Sequence, residues 1–182
     1  MKPGAIDGRI WSKGVETMKK LKNSLPKILL SLAFSALFCT VLYYLHVDRY
    51  VRYAYEVGEL NIKYKIKVEM LEYNHLGRDL VYKHKLNGTH VASGGSVKGK
   101  AGMDKPYFYF ITEITEKDSI PDTATTNGVF VEIDSHFSSS ATSYVTVEES
   151  GGRKYKDAYA KFKITYTVIP DPPFWKVLFY FR

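Results

Sequence analysis

Between Lys27 and Asp48 lie 20 residues without a formal charge, ILLSLAFSALFCTVLYYLHV, and no other feature limits the fold of this chain so strongly. At about 1.5 Å of helical rise per residue such a run reaches about 30 Å, the thickness of the hydrocarbon core of a bilayer. A cleaved secretory signal has a shorter apolar stretch, about 7 to 15 residues, closed by a pair of small side chains. Here the best such pair, Ala33 and Ser35, falls inside the run, and cutting there would leave too short an apolar stretch. Cys39 is no lipid-attachment site either, because the bulky Phe38 precedes it. The expectation is a retained transmembrane helix over 28–47, with Ile28, Leu29, Leu30, Phe34, Leu37, Phe38, Val41, Leu42 and Leu45 meeting lipid.

Charge follows the same division. Seven Lys/Arg against two acids stand in residues 1–47, and 19 against 17 in residues 48–182, so most of the net charge of +7 lies before the domain. A nearly neutral domain is a poor match for a phosphate backbone, which calls for a clustered basic face, so no nucleic-acid partner is expected. Five Lys/Arg precede the span within 15 residues and two, Arg49 and Arg52, follow it. That bias places the N-terminus in the cytosol or matrix and the C-terminal domain across the membrane. The basic tail, 1–27, also spaces Val15, Met18, Leu21 and Leu25 at near-helical intervals, as a segment lying on anionic headgroups or an uncleaved mitochondrial address would. Setting topology alone explains it more simply. Cys39 is the only cysteine, so no internal disulfide can form; the mitochondrial inner membrane or a bacterial plasma membrane then fits better than a disulfide-rich secretory surface.

Beyond the span, residues 48–182 read as one mainly β domain. Leu60, Ile62, Tyr64, Ile66, Val68 and Met70 alternate with polar residues, and so do Ala158, Ala160, Phe162, Ile164, Tyr166 and Val168. A period of two marks strands with one buried face. Further strands are expected in LVYKHKL, THVAS, PYFYFITEI, GVFVEID, TSYVTVE and FWKVLFYF, about eight in all. Asn87-Gly88 marks a type I′ hairpin, and Gly151-Gly152 and Pro170 to Pro173 mark other turns. The fold expected is an antiparallel β-sandwich or barrel-like domain, with loops at 93–102 and 117–128.

Little in this domain points to catalysis. Gly94 to Ala101 matches G-x-x-x-x-G-K but has Ala101 where a magnesium-binding hydroxyl is needed, and it leads to a strand rather than a helix. His84 and His90 flank the hairpin, but its register sends them to opposite faces. Glu132, Asp134 and His136 share one face at i, i+2, i+4, with Val131 and Ile133 turned inward; a metal centre and a solvated strand face both fit this row. Ser138 to Ser140 lacks the glycine context of a nucleophile elbow. Asn87-Gly88-Thr89 is formally a glycosylation acceptor, although the turn already explains Asn and Gly.

The dense aromatics carry the strongest hint. Successive aromatics on a strand must face both sides of a sheet, so either both sides are covered or one offers an apolar patch. Tyr107, Tyr109, Phe174, Trp175 and Tyr180 are the residues expected at such a partner surface. In layout alone, with no residue motif behind it, the chain is similar to small single-pass accessory and assembly subunits of mitochondrial inner-membrane complexes. The expected function is therefore a non-enzymatic accessory, assembly or scaffold subunit, with the lipid bilayer and other membrane subunits as partners and neither a cofactor nor a small-molecule substrate. The alternatives are a tethered domain for a lipid or small apolar ligand, with aromatics lining a cavity, and a metal enzyme centred on Glu132, Asp134 and His136.

Overall fold

The computed structural model describes residues 8–76, 79–117, 121–133, 138–149 and 157–180, the side chains of 8–23 and of Lys100 excepted. Among them are a long helix α1 (Gly8–Glu56), nine strands and a short helix α2 (Phe174–Leu178). The strands are β1 (Leu60–Asn74), β2 (Leu80–Leu86), β3 (Thr89–Val91), β4 (Gly94–Ala101), β5 (Tyr107–Glu116), β6 (Asp122–Thr125), β7 (Val129–Glu132), β8 (Ser139–Glu148) and β9 (Tyr159–Pro170). The chain forms two compact units, Met1–Leu45 and His46–Arg182.

Helix α1 is longer than the 28–47 segment expected, running into the basic tail and on past Val47. In its closing turns Tyr50, Val51 and Ala54 are buried, with His46 and Val47 half-buried one turn earlier. This 3–4 spacing is that of a helix face packed on a core. The helix stops in a Schellman motif: Gly58 adopts φ +72°, its N–H donates to the Tyr55 carbonyl, and the Glu59 N–H donates to the Ala54 carbonyl. The Tyr55 carbonyl also accepts the Met103 N–H at 3.2 Å, so the β4–β5 connection helps close the helix. Gly102 fits there because a Cβ would lie 2.4 Å from the Gly58 Cα and 2.7 Å from the Tyr55 oxygen.

Among the described residues the strands form two antiparallel sheets, with no closed barrel. One is ordered β4-β1-β9-β8; the other is ordered β3-β2-β5-β6, with β7 also paired to β5. The expected periodicity of β9 is observed throughout: Ala158 (just before the strand), Ala160, Phe162, Ile164, Tyr166 and Val168 are all buried. In β1 the burial holds from Leu60 to Ile66 and fades to Met70, next to which the pairing with β9 shifts register. From the other sheet β5 turns in Phe108, Phe110, Thr112 and Ile114. Aromatic rings join the two sheets: Phe110 stacks on Tyr166 at 5.1 Å and meets Tyr64 at 6.1 Å, and Tyr82 meets Phe162 at 6.3 Å. The hairpin has the expected register, His84 opposite Val91 and Lys85 opposite His90, with positive φ at Asn87 and Gly88.

Three expectations are corrected. Residues 93–102 are not a loop, since Gly94–Ala101 forms the edge strand β4 on β1; its glycines lack the side chains from which a period can be read. Likewise 117–128 contains strand β6. FWKVLFYF is not a strand, because Phe174–Leu178 is helical, and the adjacent burial of Val177 and Leu178 fits a helix face rather than alternation. A short apolar run does not distinguish the two from sequence. The Gly151-Gly152 turn lies outside the described residues.

Gly102→Ala forces backbone apart where α1 meets the β4–β5 connection and is expected to cost about 1–3 kcal/mol, whereas Tyr144→Ala, 67% exposed, should stay within about 0.5 kcal/mol. Thermal unfolding of the full chain in mild detergent checks both; equal midpoints for the two variants would contradict this packing.

Candidate functional site

Strand alternation sends Phe108 and Phe110 inward and Tyr107 and Tyr109 outward along β5. Strand β7 pairs there so that Phe130 stands directly opposite Tyr109 and Glu132 opposite Tyr107. The Phe130 ring lies 4.8 Å from that of Tyr109 and 6.4 Å, edge-on, from that of Tyr107. Phe130 is 65% exposed and Tyr107 52%, so three rings form an apolar patch on the outer face of the sheet. Its base is firm, because the Tyr109 N–H donates to the Asn87 side-chain oxygen at 2.9 Å and the Asn87 N–H to the Tyr109 carbonyl at 2.8 Å. Beside it opens a hollow of about 620 Å³ that reaches Asn87, Asp104, Lys105 and Tyr107. Of the two aromatic arrangements possible, the open patch is the one present on this face. Phe130 is absent from the residues expected at a partner surface; its signal is the large apolar side chain two positions before Glu132, on the face otherwise read as polar.

The other expected aromatics gather at α2. Phe174, Trp175 and Phe179 are exposed, with Trp175 and Phe179 stacked at 6.2 Å, while Val177 and Leu178 point into the core. Tyr180 is half-buried, packed at 5.6 Å from Tyr50 and 5.4 Å from Tyr53. A cleft of about 510 Å³ lies between these rings, lined also by Glu59 and Lys176.

Of the row proposed for a metal, Glu132 is exposed at the end of β7, between the inward Val131 and Ile133. Asp134 and His136 lie outside the described residues, and among the described residues no group of three His, Cys, Asp or Glu is placed to hold an ion. Ser139 and Ser140 open β8, where they pair with Val168 and Thr167.

One polar cluster is buried between the sheets. His84 Nδ1 and Thr112 Oγ1 are 2.9 Å apart, the Tyr166 hydroxyl donates to Thr112 Oγ1 at 2.9 Å and lies 3.3 Å from Thr126 Oγ1, and the Thr112 N–H donates to Thr126 Oγ1. Burial lowers the proton affinity of His84 and raises the pKa of the Tyr166 hydroxyl, whose bonds to Thr112 and Thr126 pull the other way. Each member finds its partner in the neighbouring strand or the facing sheet, an arrangement that holds register and leaves the imidazole neutral.

Because the folded state disfavours His84 protonation, the unfolded chain takes up the extra proton. The stability supplied by neutral His84 is complete above about pH 6.5 and is lost as pH falls through the depressed folded value. Melting midpoints should drop on acidification from about pH 7 to about pH 5, and drop less in His84→Gln, which cannot be protonated. An identical pH dependence in both proteins would refute the assignment. No protein family, curated protein or solved structure matches the chain, so no activity is carried over from a relative.

Proposed function

We propose that this protein is a single-pass membrane subunit without catalytic activity of its own, anchored through 28–47 with its N-terminus in the cytosol or matrix. Its two facing sheets form a β-sandwich that serves in the accessory role, assembling with another membrane subunit through Tyr107, Tyr109 and Phe130. The mitochondrial inner membrane or a bacterial plasma membrane is the compartment that best suits a chain with a basic tail and no disulfide.

The observation that carries the reading is the bareness of α1. Ile28, Leu29, Leu30, Leu32, Phe34, Leu37, Phe38, Val41 and Leu45 are each 49–64% exposed, and the most apolar 18-residue window of the helix has a mean hydropathy of 2.1 with no part of it buried. Moving a bulky apolar side chain fully out of water is worth about 1.5–3 kcal/mol. Nine left roughly half-wet would cost about 10 kcal/mol, as much as a whole domain's stability, and lipid removes that cost. The partner role is supported by the aromatic patch, whose rings stand on paired strands and are of the types enriched at interfaces. The described core supports a ligand-lining role for the aromatics less well, because Tyr64, Phe110, Phe162 and Tyr166 pack against other rings.

After alkaline carbonate washing, the full chain should remain in the membrane pellet; release into the wash would contradict the anchor. A Tyr107→Ser/Phe130→Ser double variant, altered only at exposed positions, should keep its melting midpoint. Losing about 2 kcal/mol of interface energy would weaken recovery of the co-purifying subunit about thirtyfold. Unchanged recovery would contradict the patch as the docking site.

A further inference from the structure

We propose that the C-terminal segment at α2 is a second membrane contact, with Trp175 and Phe179 seated at the headgroup–acyl boundary of the leaflet from which α1 emerges. This rests on the single-pass reading and adds a lipid-binding surface to it.

The first ground is the unusual polarity of α2. Its inward side chains, Val177 and Leu178, are 0% and 4% exposed and already supply its contribution to the core. Even so, Trp175 and Phe179 remain 67% and 65% exposed, with Phe174 at 42%. Trp175 and Phe179, four residues apart, stack with 13° between their planes and form an apolar ridge. Lys176 is exposed beside them.

The second ground is depth. The Tyr180 carbonyl lies 2.5 Å from His46 Nδ1, and the Tyr180 ring rests on Tyr50 and Tyr53. His46 is one residue before Val47, where the uncharged run ends. From Val47 to Tyr50 the helix rises only about 4.5 Å. The interfacial zone on each side of a bilayer is about 5–8 Å thick, the difference between a core of about 30 Å and a total of about 40–45 Å. Tyr180, which meets His46 and Tyr50, is therefore tied to the stretch of α1 that follows the uncharged run directly.

The third ground is chemistry. Trp and Tyr are the side chains enriched at membrane interfaces, and a neighbouring lysine can reach lipid phosphates. Trp175 and Lys176, exposed beside the half-buried Tyr53 and Tyr180, supply this set at α2. The bond of this segment to His46, at the end of the uncharged run, selects lipid, rather than a protein, as the occupant of the ridge.

The test uses the full chain as a Trp11→Phe variant, which leaves Trp175 as its only tryptophan. The variant is reconstituted into phosphatidylcholine/phosphatidylglycerol vesicles and recovered by flotation. With phosphatidylcholine brominated near the headgroup end of its acyl chains, Trp175 should lose most of its emission relative to unbrominated lipid. Bromine near the chain middle should quench it less. A chain that floats with the vesicles while Trp175 stays unquenched and open to aqueous acrylamide overturns this inference and leaves the anchor standing. A chain that fails to float overturns the anchor and this inference together.

Discussion

Helix α1 is unbroken from Gly8 to Glu56, and two opposite demands meet on it. Over 28–45 Leu29, Leu30, Leu32, Phe34, Leu37, Phe38 and Leu45 are exposed, whereas Tyr50, Val51 and Ala54 are buried. A helix bare at one stage and packed at the next is expected where a chain passes from lipid to water, since each environment removes apolar surface in its own way. The Schellman closure at Gly58 and the close approach of Gly102 to it then pin the end of the helix to the first strands. The short run from Glu56 to Leu60 leaves little slack in that joint.

Within the β part, packing separates what holds the fold from what remains available. Phe110, Tyr166, Tyr64 and Phe162 engage one another between the sheets, and the cluster of His84, Thr112, Thr126 and Tyr166 satisfies polar atoms in the same layer. A buried network of that kind penalises any slip of β2, β5 or β9, because each hydroxyl would lose its partner in an apolar setting. Among the described residues, exposed rings gather in clusters at two places. Tyr107, Tyr109 and Phe130 project from a sheet face, and Trp175 and Phe179 from α2. Neither group fills the core.

Much of this was legible in the amino-acid order where a period had room to show itself. Leu60 to Ile66 and Ala158 to Val168 alternate over enough residues to reveal a buried face, and Asn87-Gly88 specifies a hairpin through the two positive φ angles it tolerates. Strand β4 was hidden because Gly94, Gly95 and Gly99 carry no side chain to alternate. Helix α2 was hidden because five residues do not complete two turns and its apolar residues point both ways. The extension of α1 was written at 46, 47, 50, 51 and 54, but Asp48, Arg49 and Arg52 on the other face read as the end of the span. At the candidate site the inward and outward assignments along β5 followed from alternation. Only the pairing of β7 with β5 brings Phe130 onto Tyr109, a long-range register that no local pattern encodes.

The most direct test uses the one cysteine. Cys39 stands eight residues before Val47, about 12 Å along the helix, well inside the hydrocarbon if α1 crosses a bilayer. A membrane-impermeant maleimide applied to intact membranes, from either side, should leave Cys39 unlabelled until the sample is denatured in sodium dodecyl sulfate. Full labelling in intact membranes would place this stretch in water and contradict the anchored account.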